Sequence, residues 1–239
     1  HGTISGAVAF TKECRKKNIK PILGCEFYLS PADCTIKSQE NRKLSHLCVL
    51  AKNRQGWDSL IQAVSKSNDE DNFYYKPRLD LDTLGGFAGE NLIAFSGHLG
   101  SDLANAIFAD VKTAYNASTE EEAKRYIHPE WVEKVLSLAN RYRDIFGKEN
   151  FFIEIQAIDQ KNSPAASLVV QGLRYVAKKY GFQTVATADS HYPEKQDSVD
   201  QLLLLCSAMK TTLRGIKKKL EENKDVAFGG FMKSNNFHI

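Results

Sequence analysis

Methionine and tryptophan are scarce, at two residues each in 239, and proline occurs six times. No apolar run approaches the roughly 20 residues a membrane-spanning helix needs. The greasiest stretch, Leu202 to Cys206, is far too short, so no membrane contact is expected. No charge of one sign dominates: 32 basic residues face 29 acidic ones, and a net +3 does not by itself announce a nucleic-acid binder. The five cysteines (Cys14, Cys25, Cys34, Cys48 and Cys206) are scattered, and none forms a Cys-x-x-Cys pair. That argues against a disulfide framework or zinc ribbon and for a reducing cytoplasm. No secretory leader is expected, and short-period repeats and low-complexity tracts do not occur.

What is present is an ordinary globular composition, 42% hydrophobic and 26% charged. The length allows one large domain or two small ones. No internal linker stands out, so a single domain over 1–239 is expected. The chain opens on His1-Gly2 rather than Met, which suggests a fragment of a longer protein.

Strand-like and helix-like stretches alternate. Ile4, Ala7, Val8, Thr11 and Cys14 recur at helical spacing. Pro21–Leu29 and His46–Ala51 are runs of strand formers separated by a polar loop, Ser30–Lys43. Asn53 then caps a helix whose Trp57, Leu60, Ile61 and Val64 share a face. An irregular aromatic loop (Asn72–Leu79) leads to a strand at Leu92–Ser96. A helical zone over Glu120–Phe146, broken near Pro129, precedes a strand at Phe151–Gln156. Ser163-Pro164 opens a helix through Tyr180. A strand at Thr184–Ala188 and a helix at Gln201–Met209 follow, with a short strand expected at Phe231–Lys233. This alternation predicts a parallel α/β sheet, for which a barrel is a natural closure. A doubly wound open sheet is the alternative, although no Gly-x-Gly-x-x-Gly follows an early strand.

Histidine placement carries the chemistry. His98 and His191 follow expected strands, His46 begins one, and His1 precedes a helix. If the extended geometry runs on past Ala188, Asp189 and His191 point the same way and can share one ion. Glu26 is an acid within an otherwise apolar strand, a costly position unless it is paired or metal-bound. Parallel barrels carry functional residues at the C-terminal ends of their strands. Imidazoles mixed with carboxylates suit Zn²⁺, Mn²⁺ or Fe²⁺ better than Ca²⁺. Together these residues suggest metal-assisted phosphoester hydrolysis. Plainer readings stand beside this one: strand-end histidines as polar boundary residues, and Glu26 as a strand acid paired with a lysine.

Several motifs occur in order: His1-Gly2-Thr3-Ile4-Ser5-Gly6, Lys20-Pro21-Ile22-Leu23-Gly24-Cys25-Glu26-Phe27-Tyr28, His46-Leu47 with Leu50-Ala51-Lys52-Asn53, Tyr75-Lys76-Pro77-Arg78, Ser96-Gly97-His98-Leu99-Gly100, Glu154-Ile155-Gln156 and Ala186-Thr187-Ala188-Asp189-Ser190-His191-Tyr192. Together they resemble the polymerase-and-histidinol-phosphatase (PHP) domain of bacterial DNA polymerase III alpha subunits. The resemblance implies a distorted seven-stranded (β/α) barrel of TIM-like type whose first strand, with its His-x-His pair, would lie upstream of His1. It also implies up to three divalent ions, Zn, Mn or Fe with Mg as a further option. Carried over, the metal ligands are His1, Glu26, His46, His98, Asp189 and His191, with Glu26, Asp189 and His191 as the catalytic group. His98 stands where many members carry cysteine, which keeps a ligand but hardens the site. A histidine often found after Glu-Ile-Gln is replaced by Ile158 and Asp159, of which Asp159 could partly substitute.

The function implied is that of the N-terminal domain of a replicative DNA polymerase. This domain would be a metal-dependent phosphoesterase, plausibly a 3′–5′ proofreading exonuclease. Its partners would be DNA, the polymerase core of the same chain and a proofreading exonuclease subunit, in the cytoplasm. Two rival readings are a non-catalytic scaffold that docks such a subunit and a stand-alone histidinol-phosphatase-like enzyme. Tyr75, Lys76 and Arg78, with Tyr74, could stack on or clamp a nucleic-acid end; the plainer reading is a loop pinned by its own aromatics. The basic runs Arg15–Lys17 and Lys217–Lys219 read as solvated helix faces.

Overall fold

A computed structural model of the protein describes residues 1–97, 99–156, 163–208 and 210–221. Five strands form one mixed sheet in the order β1-β2-β3-β4-β5. The elements begin with α1 (Ala7–Lys16), β1 (Gly24–Leu29), β2 (Ser45–Ala51), α2 (Arg54–Ser67), α3 (Leu81–Gly85) and β3 (Leu92–Phe95). Four helices follow: α4 (Asp102–Asn105), α5 (Val111–Asn116), α6 (Glu120–Lys124) and α7 (Trp131–Phe146). The rest are β4 (Phe151–Gln156), α8 (Pro164–Tyr180), β5 (Gln183–Thr187), α9 (Ser198–Ala208) and α10 (Leu213–Glu221). The strand expected at Phe231–Lys233 and the expected helix end at Met209 lie outside the described residues.

The sheet corrects the expectation of parallel strands. β1 pairs with β2 and β2 with β3 antiparallel; β3 and β4 are parallel. Parallel neighbours need a crossover, usually a helix, that returns the chain to its starting end. The segment between β1 and β2 has no such helix, only a 3₁₀ turn at Glu40–Arg42. The Asn41 amide pins that segment to itself by donating to the carbonyls of Asp33 and Ile36.

Two-residue alternation separates the faces of the sheet. Cys25, Phe27, Leu29, Leu47, Val49, Leu92 and Ala94 are buried in the core. Glu26, His46 and Cys48 alternate with them and are only half-buried. Burial pushes the Cys25 thiol up to about 11, so it stays protonated in the core.

Helix α2 begins as expected, with the Asn53 side chain accepting from Gly56 N at 3.0 Å. Its buried stripe, however, is Gly56, Leu60, Ala63 and Ser67, and Ile61 is exposed. Small residues define this face because the backbones approach closely: a Cβ at Gly56 would collide with the Asn91 carbonyl oxygen. Of the four short helices, α3 to α5 were not expected, whereas α6 opens the helical zone expected over Glu120–Phe146. Each has a side-chain cap, from Asp80, Ser101, Asp110 and Thr119 respectively. α7 starts beyond Pro129, where the break was expected, and ends at Gly147, whose φ is +90°.

The chain gathers into two compact units. Among the described residues, one holds those of His1–Ile107, Glu130–Glu154 and Leu173–Val185; the other holds those of Phe108–Pro129, Ile155–Gly172 and from Ala186 to residue 221. In the first, Tyr142 of α7 stacks on Phe151 of β4 with ring centroids 5.3 Å apart. In the second, Phe108 meets Tyr115 edge-on, and Ala109 donates to the Tyr126 carbonyl.

Candidate active site

In the first unit, Glu26 and His46 meet across β1 and β2. The register opposes Glu26 to Cys48 and Tyr28 to His46, which puts Glu26 and His46 on a diagonal of one face. Glu26 Oε1 lies 3.1 Å from His46 Nδ1. The main chain brings His1 next to this strand, because Gly2 N donates to the Glu26 carbonyl at 2.8 Å. Two residues expected as ligands, His46 by its ring and His1 by its backbone, therefore lie beside Glu26. A carboxylate only accepts, so Nδ1 of His46 carries the proton in this contact, and Nε2 is the basic nitrogen of a neutral ring. That tautomer is the one a carboxylate-supported metal-binding histidine uses.

Two neighbours fix the His46 ring and backbone. Tyr28 packs edge-on against the ring, with centroids 5.0 Å apart. Gly97, at φ +91°, lies so close to the His46 carbonyl oxygen that a Cβ would collide with it. His98 lies outside the described residues, as do Ile158 and Asp159.

In the second unit, Asp189 and His191 come together by a different route from the one expected. β5 ends at Thr187, and Asp189 sits at φ +50°, so a turn replaces the extended geometry. The turn brings His191 Nδ1 to 2.6 Å from the Asp189 carbonyl and 3.9 Å from its Oδ1. Nδ1 again faces an acceptor, which makes Nε2 the basic nitrogen.

The Tyr75–Arg78 loop divides its residues. Arg78 is fully buried, and its guanidinium donates to the carbonyls of Asn72, Asn41 and Ile36 at 3.1, 2.8 and 3.0 Å. This corrects its reading as a nucleic-acid contact: a side chain with all three nitrogens committed inside the protein cannot reach a ligand. Tyr75 and Lys76 are exposed. Of the basic runs, Lys16 pairs with Glu13 at 2.6 Å on an exposed face of α1.

One group went unnoticed in the sequence. Ligand atoms of Asp33, Cys34 and Asp80 lie within 4.8 Å of one another, the one such trio among the described residues. Their bonding is structural. Asp80 caps α3, accepting from Thr83 N at 2.7 Å, and also accepts from Cys34 N at 2.9 Å. Burial pushes the Asp80 carboxyl up, but hydrogen bonds from Thr83 and Cys34 outweigh it and hold it at about 2. Asp33 accepts from the Thr35 hydroxyl and main-chain N–H at 2.7 and 2.8 Å, which holds its carboxyl below the usual range. Burial raises the Cys34 thiol away from the thiolate a metal requires. Asp33 and Asp80 line a cleft of about 720 Å³ with Asp82, Asp102 and Arg141. Four aspartates against one arginine give it a field that repels phosphates. The sequence signal here was Asp80 ahead of Leu81, which marks a helix cap and not a ligand.

Comparison with known proteins follows the same residues. A PHP domain family model matches residues 1–158, which include Glu26, His46 and the Tyr75–Arg78 loop. The chain belongs to the PHP domain family. The DNA polymerase III subunit alpha of Treponema pallidum is 35% identical over 214 residues, 88% of this chain and 16% of that protein. The Thermus aquaticus subunit is 34% identical over 217 residues, covering 89% and 16%. That of Borreliella burgdorferi is 32% identical over 241 residues, covering 100% and 18%. The PHP chain thus spans about a sixth of the length of these curated relatives. No helix among its described residues is long and apolar enough to cross a membrane.

Proposed function

We propose that this PHP chain is the N-terminal domain, over 1–239, of a DNA polymerase III alpha subunit, acting in the cytoplasm in DNA replication as a metal-dependent phosphoesterase. On this reading the five strands belong to a distorted seven-stranded (β/α) barrel. The partners are DNA, the polymerase core of the same protein and a proofreading exonuclease subunit. The observation that supports the catalytic reading is the contact of two side chains expected as ligands, Glu26 Oε1 and His46 Nδ1, at 3.1 Å on one face of the sheet.

The residues fit a divalent cation. Imidazole nitrogen and carboxylate oxygen are the donors that Zn²⁺, Mn²⁺ and Fe²⁺ take, with Mg²⁺ as the harder option. The proposed ligands are His1, Glu26 and His46 as one group and Asp189 and His191 as a second, with His98 carried over from the resemblance alone. Up to three ions are proposed in all. Such an ion, when bound, supplies a Lewis acid for phosphoryl oxygens and lowers the pKa of water. The protein contributes orientation. Glu26 fixes the His46 tautomer, Tyr28 fixes its ring plane, and the Asp189 carbonyl fixes that of His191. A single-stranded 3′ end is the proposed substrate, in 3′–5′ exonucleolytic proofreading.

The test is hydrolysis of a 5′-labelled single-stranded oligonucleotide with Mn²⁺ or Zn²⁺. The reading expects shortening from the 3′ end, lost in Glu26→Gln and in Asp189→Asn together with bound metal. Metal binding without hydrolysis in the wild type would favour the scaffold reading.

A further inference from the structure

Two exposed cations in the first unit, Lys76 and Arg42, differ from the helix lysines that pair with acids, and resemble Lys179 of α8, which lies over Tyr175 and Tyr180. Lys16, Lys66 and Lys124 each reach a carboxylate, at 2.6, 2.9 and 2.9 Å. Lys76 and Arg42 instead lie on tyrosines, and among the described residues neither has a carboxylate partner. Lys76 Nζ sits 4.2 Å from the centre of the Tyr28 ring and 3.1 Å from its hydroxyl. The Arg42 guanidinium covers one side of the Tyr75 ring at 4.1 Å. A π-face attracts a cation without neutralising it, so both charges stay available to an anion.

The position of this pair ties it to Glu26 and His46. Tyr28, which holds Lys76, is the same ring that packs edge-on against His46. Tyr75 is 68% exposed despite an Arg on one side and Tyr74 edge-on at 4.7 Å. Its φ of +63° is a left-handed conformation that bulky residues rarely adopt and that costs of order 1 kcal/mol or more. The turn that imposes it closes through Tyr74 N donating to the Lys76 carbonyl at 3.2 Å. Arg78, fully buried, lies 4.9 Å from the Tyr74 ring centre at the start of that turn. An exposed aromatic face beside uncompensated cations is the arrangement that binds single-stranded nucleic acid: the ring stacks on a base and the cations take the flanking phosphates.

We propose that the Tyr75–Lys76 turn anchors the substrate beside Glu26 and His46, with Lys76 and Arg42 on phosphates and Tyr75 stacked on a base. The inference rests on the phosphoesterase reading for its biological meaning, but binding can be measured without turnover. The same surface makes the anchor indifferent to base identity, because every base offers a π-face.

The experiment is fluorescence anisotropy of a labelled single-stranded oligothymidylate with the full chain, across a salt series. Tyr75→Asn removes the ring but tolerates a left-handed φ, so the turn is retained. It should weaken binding at least about five-fold, the equivalent of roughly 1 kcal/mol of stacking, with an unchanged salt slope. Tyr75→Phe should bind like the wild type. Lys76→Ala should weaken binding and lower the salt slope by about 0.7, the value of one phosphate on a single strand, whereas Lys76→Arg should restore it. Wild-type affinity in both Tyr75→Asn and Lys76→Ala, with unchanged thermal melting, would overturn the proposal, as would no oligonucleotide binding by the wild type. If the substitutions weaken binding but the wild type never hydrolyses the oligonucleotide, the anchor stands and the phosphoesterase reading falls. If hydrolysis proceeds with an unchanged KM in Lys76→Ala, the anchor falls and the phosphoesterase reading stands.

Discussion

The first unit holds two gatherings of metal-ligating side chains, and they are bonded in opposite ways. Asp33, Cys34 and Asp80 are tightly grouped, yet their oxygens accept main-chain and hydroxyl donors and their thiol is held protonated. Glu26 and His46 are a looser pair that meet through their own side chains, with Tyr28 and Gly97 packed on the His46 ring and backbone. Proximity of donor atoms therefore does not identify a metal site. What distinguishes the two is what the donor atoms meet: main chain, hydroxyl and helix cap in the first, a second expected ligand in the other. The charge around them agrees: Asp33 and Asp80 face an acidic cleft, whereas Tyr28 links His46 to a lysine with no carboxylate partner among the described residues.

The sharpest way to break this contrast is Glu26→Gln. It should lower metal affinity and hydrolysis by roughly 100-fold or more, since losing even a supporting partner of a ligand costs about 10- to 100-fold. Thermal melting in the absence of metal should barely move. Hydrolysis at the wild-type rate would remove Glu26 from the site.

Arg78→Met attacks the other side. It strands the carbonyls of Ile36, Asn41 and Asn72, which frame the segment carrying Asp33 and Cys34. A loss of about 3 kcal/mol in denaturant unfolding is expected, because a buried charged donor is removed and its acceptors are left unpaired. A loss below about 1 kcal/mol would mean the loop is held by something else.

Asp80→Ala should cost about 1 kcal/mol by removing the cap of α3. Asp80→Asn keeps one capping oxygen for Thr83 N, gives up the acceptor for Cys34 N and removes the titration. The folded carboxyl at about 2 lies below the unfolded value of about 3.9. The stability it contributes is therefore complete above pH 4 and fades as pH falls toward 2. Wild-type stability should drop more steeply than that of the Asn variant across this window, and parallel pH curves would refute the assignment. The smallest effect belongs to Asp33→Asn, which should leave bound metal unchanged by elemental analysis.

How far this contrast could be read in advance depended on what each residue's signal encodes. Glu26 stood out because an acid in an apolar strand is costly, and Asn53 and Pro129 marked helix boundaries correctly. The direction of β2 was not legible, since a polar loop says little about which end of the sheet it returns to. Nor was the buried face of α2, where Gly56 and Ala63 carry no hydrophobic signal although they pack most closely. Asp189 and His191 were paired for the wrong reason: spacing assumed a strand, and a left-handed residue made a turn. Arg78 and Lys76 are two positions apart with equal charge, and only the tertiary packing makes one a buried staple and the other an exposed cation.

Metal content after loading with Mn²⁺ or Zn²⁺ and gel filtration, compared among wild type, Glu26→Gln and Asp80→Asn, decides which gathering binds. The account predicts loss of metal in Glu26→Gln and the wild-type ratio in Asp80→Asn. Metal retained by the first and lost from the second would contradict it.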